Sequence, residues 1–191
     1  MNRTRYFASI DESYRWYWTC KGKIEIDESQ LADNYFLTAL YRTLGLNYPK
    51  FFKMDDMSKA GILVTELVLR DLPIELDKKQ TAVVFFNREA SLHTDRRFEE
   101  TISDADNFFP SPSVFVYTLP NIVSGEVCIR HGFQGESGFY VIDDFDKNAM
   151  ADICGDLLDS HSAVICGYTD FSKGYAYAWA EVDSMDFEKA K

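Results

Sequence analysis

The sequence lacks several features that would assign it to a well-known class of protein. No apolar run approaches the roughly 18 residues needed to span a bilayer, and the opening residues MNRTRYFASI have no apolar stretch of signal-peptide length. The net charge of −11 disfavours a phosphate backbone or an anionic membrane as a partner, because both require a basic face. We therefore expect a cytoplasmic protein that binds neither nucleic acid nor membrane.

Motifs that hold metals, phosphates or nucleophiles are also missing. The four cysteines, at positions 20, 128, 154 and 166, form no Cys-x-x-Cys pair, and the chain contains no Gly-x-Ser-x-Gly. The sequence GFQGES lacks the Gly-Lys-Ser/Thr ending of a phosphate-binding loop. His93 and Asp95 form a lone His-x-Asp, whereas a metal site needs three or four ligands. The sequence thus predicts no metal and no cofactor.

The length and composition suit a single folded domain over residues 1–191, with 46% hydrophobic residues to form a core. Apolar patterns predict strands at 5–10, 81–86, 139–142, 162–167 and 175–182. Helices are predicted at 34–44, at 56–70, within 114–131, and after an Asp N-cap at 144 or 146. This alternation predicts an α/β fold with a mixed sheet between helices, and the short turn near 173 makes the last two strands antiparallel.

Two polar features of this pattern are candidates for function. Asp143 and Asp144 follow a predicted strand and could act as a general acid and base. Neighbouring strand residues point to opposite faces, however, and Asp readily caps helices, so a structural role is the stronger interpretation. The long polar segment 87–113 carries Arg88, Arg96 and Arg97, a basic island in an acidic chain. A connection of this length usually has a function.

Two stretches resemble β-ketoacyl-acyl-carrier-protein synthases, members of the thiolase-like superfamily. The stretch FFPSPSVFVYTLPNIVSGEVCIRHGFQGES resembles the family's helix of the type TLPNxxxGEIAIxxGxxGPS, and FFKMDDMSKAGILVTELVL resembles its KMDxLSKLGxxAAE helix. The matching residues of the first motif are Thr118, Leu119, Pro120, Asn121, Gly125, Glu126, Ile129, Gly132, Gly135 and Ser137. Glu136 replaces the usual proline.

The resemblance implies a single N-terminal half-domain: a five-stranded mixed sheet whose last strand is antiparallel, with helices on both faces in α-β-α layers. In the family, the nucleophilic cysteine stands about ten residues after the first glycine of the GPS-type turn. That position falls at Asp144, next to Asp143, and no cysteine lies nearby. The family's catalytic histidines and lysine belong to the other half-domain. Thr118, Asn121 and Phe145 are the candidate residues of a binding pocket, and Asp143 and Asp144 mark the position of the family's nucleophile.

Three hypotheses follow. The first is a non-catalytic partner or scaffold in fatty-acid, polyketide or aryl-polyene biosynthesis, as a homodimer or as a heterodimer with a full ketosynthase. The family dimerises through this half, so the TLPN helix and the strand at 139–142 are candidates for the interface. The second is an enzyme with altered acyl-thioester chemistry that uses Asp143 or Asp144. The third is a module that binds acyl carrier protein through Arg88, Arg96, Arg97 and Arg130, because carrier proteins are usually acidic.

Overall fold

The computed structural model describes residues 3–11, 16–26, 35–106, 108–170 and 175–183. Within these residues the strands are β1 (Arg3–Asp11), β2 (Trp16–Thr19), β3 (Gly22–Glu25), β4 (Thr81–Asn87), β5 (Ser137–Val141), β6 (Ala163–Asp170) and β7 (Tyr175–Asp183). The α-helices are α1 (Phe36–Thr43), α2 (Asp56–Asp71), α3 (Leu92–Glu100), α4 (Pro112–Phe115), α5 (Ile122–His131) and α6 (Lys147–Leu157). Short 3-10 helices run over Pro49–Lys53 and Val116–Thr118.

The strands form one mixed sheet in the order β3-β2-β1-β7-β6-β4-β5. Strand β4 is parallel to β5 and β6, and β7 is antiparallel to both β6 and β1. The predicted fold class is therefore confirmed, with all five predicted strands present and the last one antiparallel. Strands β2 and β3 were not predicted. They extend the sheet beyond β1 through a tight turn in which Gly22 has φ 124°.

Helices α1, α2 and α5 cover one face of the sheet and enclose the larger part of the core. Phe85 of β4 lies at its centre, between two glycines that make room for its ring. A Cβ atom on Gly167 would collide with this ring, and one on Gly61 of α2 would collide with Val123 of α5. The close approach of α2, α5 and β4 therefore depends on the missing side chains at these two positions.

Helix α6 covers the other face, where Met150 and Cys154 pack on strands β4 and β6. Its N-cap is Asp146, whose Oδ1 accepts hydrogen bonds from the backbone N–H groups of Asn148 (2.8 Å) and Ala149 (3.3 Å). This confirms the predicted acidic cap and fixes it at position 146. None of the helices described is long and apolar enough to cross a membrane.

Candidate functional site

The segment 142–146, here called the strand-end loop, joins β5 to α6 and carries the two candidate acids. It lies at the carboxyl end of the parallel strands, where open α/β sheets usually place their ligands. Asp143 and Asp144 are both exposed to solvent. Asp144 Oδ1 accepts a hydrogen bond from the backbone N–H of Phe145 at 2.9 Å. The loop thus presents its carboxylates outward.

Phe145 closes the space behind these acids. Its ring centroid lies 4.9 Å from that of Tyr168, 5.5 Å from Tyr177 and 5.6 Å from Tyr175. The Lys147 ammonium sits 4.5 Å from the centroid of Tyr177 and 5.6 Å from that of Phe145. Phe145, which the sequence placed in a pocket, therefore packs into the aromatic part of the core beneath α6.

Little room is left at the neighbouring strand ends. A cavity of about 20 Å³ lies there, lined by Asn87 and Asp170 among others, which is space for roughly one water molecule. Asn87 closes the turn after β4, because its Nδ2 donates to the carbonyl of Ala90 (2.7 Å) and its Oδ1 accepts from the Ala90 N–H (2.8 Å). Ala90 adopts φ 50° in this turn. This cavity could not hold an acyl chain.

Cys128, Cys154 and Cys166 are poorly suited to act as a nucleophile in this region. Cys154 and Cys166 are buried in the core between α6 and β6, and burial raises the pKa of the Cys166 thiol well above its ordinary value. Burial also raises the pKa of Cys128. A reactive cysteine requires the opposite shift, toward the thiolate.

Of the other two pocket candidates, Thr118 serves local structure and Asn121 faces solvent. The Thr118 hydroxyl donates to the carbonyl of Phe115 (2.7 Å), and the Thr118 carbonyl accepts from the Ser91 hydroxyl (2.7 Å). Asn121 is exposed and makes no side-chain cap for α5. Among the residues described, no hydrogen bond or ring contact joins either side chain to Phe145. Whether the three share a pocket stays a prediction.

A larger cavity, of about 300 Å³, opens between the starts of α2 and α4 and one side of α3. Three cations line it, each from a different element: Lys53, Lys59 and Arg97. We call it the basic cavity; its other lining residues are Phe52, Met54, Asp55, Thr94, Ser113, Val114 and Tyr117. Lys59 Nζ pairs with Asp56 at 3.1 Å. In the part of the chain that the structure describes, Lys53 and Arg97 have no ion-pair partner.

Buried polar groups form the floor of the basic cavity. The Asp55 carboxylate accepts hydrogen bonds from the Ser58 N–H (2.9 Å) and the Thr94 hydroxyl (2.8 Å). Burial raises the pKa of Asp55, and these hydrogen bonds oppose the shift. The Tyr117 hydroxyl donates to Glu126 (3.1 Å), and burial followed by the nearby Glu126 charge raises the pKa of Tyr117. Perturbed acids beneath a cavity are typical of functional sites.

The four predicted docking arginines lie in different surroundings. Arg97 opens onto the basic cavity, and Arg96 is exposed beside it on α3. Arg88 pairs with Glu89 at 2.8 Å. Arg130 donates from Nε to Glu66 Oε1 at 2.6 Å and stacks over the ring of Tyr48, so its charge is largely engaged inside the protein. The geometry therefore does not favour one docking surface shared by all four arginines.

Lys53 and Lys59 were missed by sequence reasoning. Both lie in the quoted stretch FFKMDDMSKAG, on either side of the α2 N-cap. Their position beside the N-cap was the one feature of the sequence that could have indicated a role. Side chains that flank a helix start lie close to the element that packs against that end of the helix. Their convergence with Arg97 required the tertiary structure, because 38 residues separate Lys59 from Arg97 in the sequence.

Strand β5 has a neighbouring strand on one side only among the residues described. Its exposed side chains include Tyr140 and Val141, which are 42% and 56% exposed. Helix α5 packs against β5, and its Ser124 hydroxyl donates a hydrogen bond to the Gly138 carbonyl (2.8 Å). The same helix exposes Ile129 to solvent. We call Tyr140, Val141 and the free backbone edge of β5 the β5 edge. An unpaired apolar edge of this kind is a common site of strand pairing.

Comparison with solved structures identifies the fold. The ishigamide ketosynthase/chain length factor matches 97% of this chain and 63% of its own length, with a TM-score of 0.67 and 11% identity. A ketosynthase in complex with its chain length factor, from Xenorhabdus doucetiae, matches 96% of this chain and 79% of its own, with a TM-score of 0.61 and 14% identity. No protein-family model and no curated protein sequence matches the chain.

A third structure holds a type II polyketide synthase acyl-carrier protein in complex with its ketosynthase bound to the hexaketide. It matches 80% of this chain and 60% of its own, with a TM-score of 0.56 and 14% identity. This chain therefore spans less than two thirds of the first and third of these relatives. The chain has the thiolase-like fold of ketosynthases, which the sequence resemblance predicted.

Proposed function

We propose that this chain, as a single ketoacyl-synthase N-terminal-like domain over residues 1–191, is a non-catalytic partner of a full ketosynthase. The biosynthetic setting would be that of fatty acids, polyketides or aryl polyenes. The observation that carries this proposal is the β5 edge, where exposed apolar side chains accompany an unpaired strand. The names of two similar structures, each a ketosynthase with a chain length factor, point the same way.

The strand-end loop supports the non-catalytic part of this proposal. Its acids face solvent, the aromatic ring of Phe145 fills the space behind them, and the cavity at the neighbouring strand ends measures about 20 Å³. Covalent acyl transfer needs a nucleophile beside a pocket for the acyl group. Segment 142–146 contains no cysteine, and the cavity at the neighbouring strand ends is too small for an acyl group, which supports a non-catalytic role.

The test is co-purification of the tagged chain with a ketosynthase from the same source, with the complex sized by mass photometry. Val141→Lys should weaken the complex at least tenfold, since a charge would be buried in the interface. Phe7→Lys is the matched control, because Phe7 is also an exposed strand residue but lies on β1, away from β5. Equal affinity of the two variants would overturn the assignment of the β5 edge, and a homodimer sensitive to Val141→Lys would replace the heterodimer.

A second candidate function is binding of an acyl carrier protein, and the basic cavity favours it. Among the described residues two of its three cations, Lys53 and Arg97, have no ion-pair partner, and in a chain of net charge −11 they could steer an acidic partner. The combined variant Lys53→Glu, Lys59→Glu, Arg97→Glu should reduce carrier affinity at least tenfold, whereas Lys79→Glu on the exposed loop before β4 should not. Loss of affinity in both would indicate a general charge effect instead of a docking site.

A further inference from the structure

The basic cavity brings three cations from separate parts of the chain around one space. Lys53 ends the 3-10 helix that precedes α2, Lys59 lies in the first turn of α2, and Arg97 lies in the last turn of α3. Like charges repel one another, so their convergence costs free energy unless an anion lies between them. The volume of about 300 Å³ is at the lower end of the range for small-molecule pockets.

The acids near these cations offset the positive charge only in part. Among the described lining residues the acid is Asp55, and both of its oxygens already accept hydrogen bonds, Oδ1 from α2 and Oδ2 from α3. Lys59 Nζ lies 3.1 Å from Asp56 Oδ1 and is paired with it. Lys53 and Arg97 have no ion-pair partner within the described ranges. Two of the three cations are thus left for a ligand.

An exposed aromatic ring gives the cavity an apolar side. The ring of Phe52 is held in place by edge contacts with Tyr41 and Phe51, at centroid distances of 5.1 Å and 5.6 Å. Met54 and Val114 also line the cavity. Covering this apolar surface is favourable, so the cavity suits a ligand that joins an anionic group to a small carbon part.

We propose that the basic cavity binds a small phosphate monoester. The phosphate lies among Lys53, Lys59 and Arg97, and the carbon part lies against Phe52 and Val114. A phosphate monoester carries a charge of about −1.5 to −2 at neutral pH, which matches the two unpaired cations better than the single charge of a carboxylate. The planar guanidinium of an arginine can also bind two phosphate oxygens at once. This binding requires neither the ketosynthase nor a carrier protein, although a docked carrier would use the same cations.

Phenyl phosphate, phenol and inorganic phosphate are suitable probes, because each of the last two lacks one part of the first. An amide NMR titration of the wild-type chain should give a dissociation constant on the order of millimolar for phenyl phosphate, as expected for so few atoms. The largest shifts should fall on lining residues such as Phe52 and Thr94. Phenol should bind about tenfold more weakly, the effect of two partly exposed charge contacts. Inorganic phosphate should bind about fivefold more weakly, because it covers no apolar surface.

Substitution of the cations tests which charges hold the phosphate. Arg97→Gln should weaken the binding of phenyl phosphate about fivefold, and the double variant Lys53→Gln, Arg97→Gln should weaken it about tenfold. Arg96→Gln is the matched control, because Arg96 is an exposed arginine of the same helix that does not belong to the described lining. Its affinity for phenyl phosphate should equal that of the wild type.

Equal losses in Arg96→Gln and Arg97→Gln would mean that the phosphate responds to surface charge in general, and would overturn the proposal. So would equal affinity for phenyl phosphate and phenol, equal affinity for phenyl phosphate and inorganic phosphate, or largest shifts away from the cavity. Carrier binding without phenyl phosphate binding would overturn this proposal and leave carrier docking standing.

Discussion

The strand-end loop and the basic cavity are built in opposite ways. In the loop an aromatic ring, Phe145, is held by three tyrosines while the acids face water. In the basic cavity the acid, Asp55, is held by hydrogen bonds while the cations line an open space. The difference separates residues that maintain the fold from residues available to a partner. We expect the ring to stabilise the loop and its acids to be dispensable, whereas at the cavity we expect the acid to stabilise the fold and the cations to be open to a partner.

Of the substitutions considered, Phe145→Ala should cause the largest loss of unfolding free energy. Removal of the ring leaves a void among Tyr168, Tyr175 and Tyr177, and we expect a loss of about 2 kcal/mol in unfolding free energy, less than for a fully buried phenylalanine. Urea denaturation followed by circular dichroism measures it. Phe52→Ala is the matched control, since Phe52 is 53% exposed and should cost less. An equal loss in both would mean that Phe145 is not the anchor of the loop.

Asp55→Ala should cost about 1–2 kcal/mol, because the variant loses the N-cap of α2 and its bond to Thr94. Asp56→Ala, one residue later, removes an acid from the same turn but leaves the cap, and should cost about 0.5 kcal/mol or less. Thermal or urea unfolding would distinguish the two. Equal losses would show that general charge at the helix start, and not the cap, stabilises this end of the cavity.

A smaller effect is expected in how the stability of Asp55→Asn, relative to the wild type, changes with pH, and its direction can be stated. The pKa of Asp55 is raised in the folded protein above its ordinary 3.8, so the folded state binds the proton more tightly than the unfolded state. As pH rises from 3.8 through the folded pKa, the wild type therefore loses stability that the uncharged variant keeps. The unfolding free energy of Asp55→Asn minus that of the wild type should increase over this window. A flat or falling difference would contradict the raised pKa.

The contrast between the two regions also marks what the sequence could predict. Periodic apolar residues placed β4, β6, β7 and α2 close to their observed bounds, and Asp146 acts as the predicted kind of cap. These features are determined by residues that lie close together in the sequence, so the sequence alone can indicate them. Helix α3 was missed because its sequence LHTDRRFEE has almost no apolar stripe, with Thr94 as its buried residue.

Strands β2 and β3 were missed although Gly22 marked their turn.

The basic cavity was missed for a different reason. Lys53, Lys59 and Arg97 are ordinary surface cations in sequence, and only the packing of α3 against the start of α2 brings them to one space. Likewise, the resemblance located the strand-end loop, but the filling of its interior by Phe145 depends on tyrosines from β6 and β7.

The smallest expected change in stability belongs to the two exposed acids of the strand-end loop. The double variant Asp143→Asn, Asp144→Asn should change the unfolding free energy by about 0.5 kcal/mol or less, because both side chains are exposed. Its affinity for a ketosynthase should equal that of the wild type. Intact-mass analysis after incubation with acyl-carrier thioesters should show no acyl adduct on either protein. An adduct on the wild type that disappears in the double variant would instead assign acyl-thioester chemistry to these carboxylates and erase the contrast between the two regions.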